Sequence, residues 1–217
     1  MLRSQIIMIT WILAVLGCSA SELFQMEAHK SPETEAQRIL ETFVNSIGKD
    51  PKQYNLFIVK KNSLNAHAGF NNQITINSDL IETVNSEPGL ALVIAHELGH
   101  LEKKHVVKSV TRNTVGTIAN IAVAVATKGS ALGGLINDAE QLTRNAFSRS
   151  QEHDADIFAI NLVNQFYCKE PGKLVFFETV SSTENNFLNI SYFRTHPITK
   201  TRIKYMTEMI QQAGCVI

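Results

Sequence analysis

Apolar residues recur along this chain with two periods, and each change of period marks a predicted element. Ser31-Pro32-Glu33 opens a helical stretch that runs to Ile47 and is stopped by Gly48. Residues 54–60 alternate and are rich in β-formers, and Gln73–Asn77 is a second short strand. Helices then dominate. Ser86-Glu87-Pro88 is a start signal, since serine caps, proline suits the first turn and glutamate favours the positive helix end. Leu90, Ile94, Leu98 and Leu101 follow at helical spacing, and Lys103, Lys104 and Lys108 mark the return to solvent. Further helices are expected over residues 114–127, 131–147, 148 to about 166, after Pro171, and 198–213. This order predicts an α+β fold, a small sheet packed on helices, with no internal repeat and no second domain. Residues 115–136 are unusually apolar, but Lys128, Gly129 and Gly133-Gly134 leave neither half long enough to span a bilayer. A buried or protein-covering helical hairpin is the reading there, with contact at the bilayer surface as the alternative.

Inside the helix that starts at Ser86 lies His96-Glu97-Leu98-Gly99-His100. At 3.6 residues per turn the two imidazoles stack on one face and can chelate one ion, with Glu97 beside them. That is the spacing of a zinc-hydrolase centre. A metzincin would continue with a glycine at position 103 and a histidine at 106; Lys103 and Val106 stand there, and His105 is out of register. A third ligand must come from elsewhere, and Glu152-His153-Asp154-Ala155-Asp156 is the candidate. Glu152 and Asp156 are one helical turn apart, so one carboxylate can complete the ligand set while the other accepts a hydrogen bond from a ligand histidine, His96 for preference.

These motifs and their order resemble the M48 family of zinc metallopeptidases. In that family the histidine helix is followed by an Arg-x-x-Glu-x-Glu-Ala-Asp segment, matched here by Arg149 to Asp156 with Asp154 in place of the second glutamate. Thr195-His196-Pro197, Arg202-Ile203, Asn65-Ala66 and Gln73-Ile74-Thr75-Ile76 resemble further family segments, the last being its edge strand beside the active-site cleft. Where relatives run through Phe-Ala and Pro-Gly into that strand, this chain has His67-Ala68-Gly69-Phe70-Asn71-Asn72, with His67 expected as an exposed turn residue or, alternatively, a group near the cleft. The resemblance spans residues 30 to 212. It implies one zinc ion per chain held by His96, His100 and Glu152, with Asp156 behind His96 and Glu97 as general base. His196 is the expected oxyanion donor, with Tyr192 as the alternative, and can also occupy the open metal position at rest.

Composition fits one small domain. The 217 residues are 44% hydrophobic and 18% charged, enough for a single core. Twenty basic and twenty acidic side chains cancel, so nucleic-acid binding has no electrostatic footprint. Arg3 followed by an apolar run over residues 6–16 reads as a signal peptide, and Val15-Leu16-Gly17-Cys18 resembles a bacterial lipoprotein cleavage box. The expected division is residues 1–17 as signal, 18–30 as tether and 31–217 as the peptidase domain. Cys18 would be lipidated, and Ser19 after it favours delivery to the outer membrane by analogy with lipoprotein sorting; an ordinary cleaved signal ending near Ala20 is the alternative. In an oxidising periplasm Cys168 and Cys215 can pair. Substrates implied are misfolded or stalled envelope polypeptides bound extended along Gln73–Asn77. The rival function is a zinc-stabilised periplasmic chaperone or assembly factor that rarely cuts. Oligomeric state is not encoded in any of these patterns.

Overall fold

The computed structural model describes residues 32–113, 147–182 and 192–217. The expected signal, tether and Cys18, and the expected helix over residues 114–127, lie outside the described residues, as does nearly all of the one over 131–147. The chain divides into two units, Met1–Glu35 and Ala36–Ile217. Of the first, the structure describes only the opening turn of helix α1 (Pro32–Ser46). The remaining account concerns the second.

Helix α1 buries Ala36, Ile39, Leu40, Phe43 and Val44 and ends before Gly48, whose φ of 73° is open to glycine without strain. A 3₁₀ turn (Pro51–Gln53) leads into β1 (Asn55–Val59); β2 (Ala66–Ala68) and β3 (Gln73–Asn77) complete a three-stranded sheet in the order β1-β3-β2. β1 runs parallel to β3 and β2 antiparallel to it. This corrects two expectations. Gln73–Asn77 is the central strand, flanked on both sides, and β2 is the edge that lies against the histidine-bearing helix. His67 belongs to that edge strand, opposite Thr75, and is half-buried; it is not an exposed turn residue.

The departure at residues 67–72 is a matter of turn chemistry. Asn71 and Asn72 both have positive φ, 54° and 53°, and Gln73 N–H donates to the Phe70 carbonyl at 3.2 Å. Asparagine tolerates this left-handed geometry best among residues with a Cβ, so Asn-Asn closes the β2–β3 hairpin without a Pro-Gly turn.

Helix α2 (Ser78–Val84), which the sequence reading omitted, precedes α3 (Glu87–Glu102). Ser86 caps α3 by accepting from Gly89 N–H at 3.3 Å. From Gly89 to His100 every residue of α3 is buried, so this is a helix covered all round. It ends sooner than its pattern suggests: Lys104 turns left-handed, at φ 56°, and a separate helix α4 (His105–Asn113) begins. α5 (Arg149–Tyr167) opens with a capping box between Ser148 and Gln151 and packs along α3. At their crossing a Cβ on Gly99 would stand 3.2 Å from the Cα and carbonyl oxygen of Ala155, so any side chain here would push the two helices apart by a few tenths of an ångström. Phe147, expected at a helix end, belongs to no helix or strand and donates its N–H to the Thr195 carbonyl at 3.1 Å. α6 (Val175–Ser182), the single turn α7 (Tyr192–Thr195) and α8 (Lys200–Gln212) follow. Among the described residues no helix is long and apolar enough to cross a membrane.

Cys168 and Cys215 are joined by a disulfide with Cα atoms 4.6 Å apart. Beside it Val216 N–H donates to the Cys168 carbonyl at 2.8 Å, and the buried Lys173 ammonium donates to the carbonyls of Glu170 and Val216. The bridge closes a loop with a separation of 47 residues. Replacing both cysteines by alanine should lower the free energy of unfolding by about 2 to 4 kcal/mol, read from urea denaturation. An unchanged midpoint would deny the bridge any part in stability.

Candidate metal centre

Three of the four candidate donors sit on the two crossing helices. His96 and His100 come from one face of α3 and Glu152 from the first turn of α5; His196 follows α7. One ligand atom from each lies within 4.8 Å of the others, and all four residues are buried. His96 Nε2 is 3.0 Å from His100 Nε2 and 3.3 Å from His196 Nδ1. Glu152 Oε1 is 3.3 Å from His100 Nε2 and 3.1 Å from His196 Nδ1, and its Oε2 is 3.4 Å from His96 Nε2. Three imidazoles and a carboxylate aimed at one point are the donors a borderline-soft cation takes. Both oxygens of Glu97, Nε2 of His196 and the hydroxyl of Tyr192 are buried without a hydrogen-bond partner among the described residues. Polar atoms in a dry interior are rarely left so, and their convergence here fits a site built around a metal and a reacting group. The residues present fit such an ion.

Behind the donors stands a charged support. Asp156 Oδ1 lies 2.9 Å from His96 Nδ1, within ion-pair reach although off the line of a good hydrogen bond. The Asp156 carboxylate receives Arg202 at 2.8 and 2.7 Å and the Tyr205 hydroxyl. Arg202 also reaches Glu152 Oε2 at 2.6 Å and the Pro197 carbonyl at 2.9 Å, so one guanidinium ties both carboxylates to the turn that carries His196. Burial opposes ionisation of Asp156, but His96 and Arg202 outweigh it and hold its pKa at about 2. Burial likewise opposes a charge on Glu152, and the surrounding histidines hold it well below the usual carboxylate range. For His96 burial works downward, yet Asp156 and Glu152 raise it to about 9; burial and two neighbouring histidines push His100 well down.

Aromatic faces fix the rings. Phe147 stacks on His100 with centroids 3.9 Å apart, and Tyr192 on His196 at 4.6 Å. His196 Nε2 faces Glu97 Oε1 at 3.5 Å. His100 Nδ1 meets His105 Nδ1 at 3.1 Å, and burial lowers the His105 pKa to about 4.

The structure thus brings together His96, His100, Glu152 and His196, sets Glu97 beside them, Asp156 behind His96 and Tyr192 over His196. Sequence reasoning gave no role to Arg202, Tyr205, Phe147 or His105. Arg202 had a signal, its place shortly after Thr195-His196-Pro197; Phe147 and Tyr205 had none, because a ring that stacks or caps a carboxylate looks like any core aromatic.

Comparison with known proteins agrees with this geometry. The model of peptidase family M48 matches residues 30–210. The chain is 28% identical over 190 residues to the metalloprotease LoiP of Escherichia coli K12, covering 83% of this chain and 73% of that one. It is 26% identical over 207 residues to the metalloprotease YcaL of the same organism, covering 91% and 78%. The mitochondrial metalloendopeptidase OMA1 of Saccharomyces cerevisiae is 20% identical over 147 residues, 65% of this chain and 42% of that protein.

Replacing Arg202 with methionine would leave Glu152 and Asp156 buried without their cation, which should cost about 3 to 5 kcal/mol of stability. Denaturant unfolding measures it, and a parental midpoint would show that the guanidinium carries no such load.

Proposed function

This chain belongs to peptidase family M48 and is a metalloendopeptidase, and from that premise we propose that it binds one zinc ion per chain and degrades misfolded or stalled polypeptides of the bacterial cell envelope. The observation that carries the site assignment is the buried quartet beside a glutamate whose two oxygens have no hydrogen-bond partner among the described residues. His96, His100 and Glu152 would hold the ion, and Asp156 orients His96. Bound there, zinc supplies Lewis acidity, acidifying water and polarising the scissile carbonyl.

The remaining work falls to the protein. Glu97 is next to a ligand in sequence, and its carboxylate is free to accept a proton from the attacking water and pass it to the leaving amine. His196 has two tasks. With Nδ1 among the donors it closes the centre at rest; swung out by an arriving chain, its ring N–H can serve the oxyanion. Tyr192, buried and with an unpartnered hydroxyl, is the alternative oxyanion donor. An extended polypeptide would be read along the outer edge of β2, where main-chain bonding gives affinity with little side-chain selectivity. Lipidation at Cys18, periplasmic location and attachment to the outer membrane complete the proposal. A β-barrel assembly-enhancing protease of E. coli O157:H7 is 24% identical over 146 residues, 58% of this chain and 30% of that protein, which supports an envelope setting.

Glu97→Gln separates this reading from that of a zinc-stabilised chaperone. The variant should keep its zinc and bind unfolded outer-membrane proteins, while mass spectrometry finds none of the fragments that the parent produces and a chelator abolishes. Fragments persisting in the variant, or absent from the parent, would sink the catalytic assignment.

His196→Ala should also keep zinc. Loss of an oxyanion donor would cut turnover by about 100- to 1,000-fold, whereas relief of the closing ligand would raise cleavage of clients or of the enzyme itself. Unchanged turnover would remove both tasks from this residue.

A further inference from the structure

We propose that His105 is a positioning residue for His100, accepting the proton on His100 Nδ1 so that Nε2 is held toward the other donors; this rests on the metal reading above. In an unbroken helix, residues five apart are about 140° from each other around the axis, so His105 could not meet His100. The chain makes the contact by breaking: α3 stops at Glu102, Lys104 adopts φ 56°, and α4 starts afresh with His105 turned back. His105 is 1% exposed and its Nδ1 is 3.1 Å from His100 Nδ1.

Proton counting then fixes both tautomers. An imidazole that offers its Nε2 lone pair to a metal carries its proton on Nδ1, and that N–H needs an acceptor. The His105 Nδ1 lone pair supplies it, which places the His105 proton on Nε2, facing Asp154 Oδ2 at 3.8 Å. Surrounding contacts hold this acceptor still. Gln151, on α5, donates to the His105 carbonyl at 3.3 Å and to Ser109 Oγ at 3.2 Å, pinning the first turn of α4 to the helix that carries Glu152. Phe147 covers a face of the His100 ring. A ligand histidine usually donates to a carboxylate, a carbonyl or water. Behind His96 Nδ1 the Asp156 carboxylate stands at 2.9 Å, whereas behind His100 stands an imidazole, with the Asp154 carboxylate beyond it.

The test is Zn²⁺ affinity of the full chain, measured by competition with a chromophoric chelator, for the parent, His105→Phe and His105→Asn. Phenylalanine keeps the ring without the acceptor and should weaken zinc binding by about 10- to 100-fold. Asparagine, whose Oδ1 can stand near the place of Nδ1, should recover most of that loss. Parental affinity in His105→Phe, or equal losses in both variants, would overturn the proposal and leave His105 a packing residue. Should the phenylalanine variant fail to fold by circular dichroism, His105→Leu against His105→Asn decides on the same terms. A parent that binds no zinc, or a His100→Ala variant that binds it undiminished, would instead remove the metal reading, and this inference with it.

Discussion

The closest approach of α3 and α5 is at Gly99, where a methyl group would meet the backbone of Ala155 at 3.2 Å and force the helices slightly apart. The contacts between the α3 histidines and Glu152 inherit that distance. His100 is the next residue along α3, and Glu152 lies just under one turn before Ala155 on α5, so the close approach brings Nε2 and Oε1 to 3.3 Å. A helix pair packed at an ordinary separation would keep the same side chains in the same order and miss the common point. Ser86 at one helix start and Ser148 at the other fix where each turn begins, and the Cys168–Cys215 bridge ties the far end of α5 to the end of α8. Packing density thus acts on chemistry through geometry.

Around that crossing the protein buries more charge than a small core can carry unpaired. Glu152 and Asp156 would repel each other across one helical turn, and Arg202 bridges them while bonding the Pro197 carbonyl. The guanidinium suits this because its donors form a fixed fork, which a lysine could not reproduce. The same residue therefore neutralises the support and locates the His196 turn.

Much of this was legible in the chain, for reasons of periodicity. Site residues that come from one helix turn, such as the donors His96 and His100 or Glu152 and its supporting neighbour Asp156, advertise themselves because a spacing of four residues has one geometric meaning. The cap at Ser86, the helix start at Ser148 and the strand at Gln73–Asn77 were equally plain. What escaped depended on single backbone angles or on pairing partners. The left-handed Lys104 splits one apparent helix into two and has no glycine to announce it. The place of Gln73–Asn77 in the sheet depended on β2, three residues that are too few to show alternation. His105 reads only as one position short of a metzincin's third histidine, and its contact with His100 depends on the break at Lys104.

The full burial of the quartet has a thermodynamic consequence. A cation that binds this pocket and not the unfolded chain adds its binding free energy to the folding free energy, about 2.7 kcal/mol when free metal stands at 100 times its dissociation constant. Three inward imidazoles and a carboxylate, with no solvent to turn to, make the folded state the sole form that offers all four atoms together. The stability of the fold should then follow the supply of free metal around it, so that a molecule emptied of its ion loses its chemistry and part of its resistance to unfolding together.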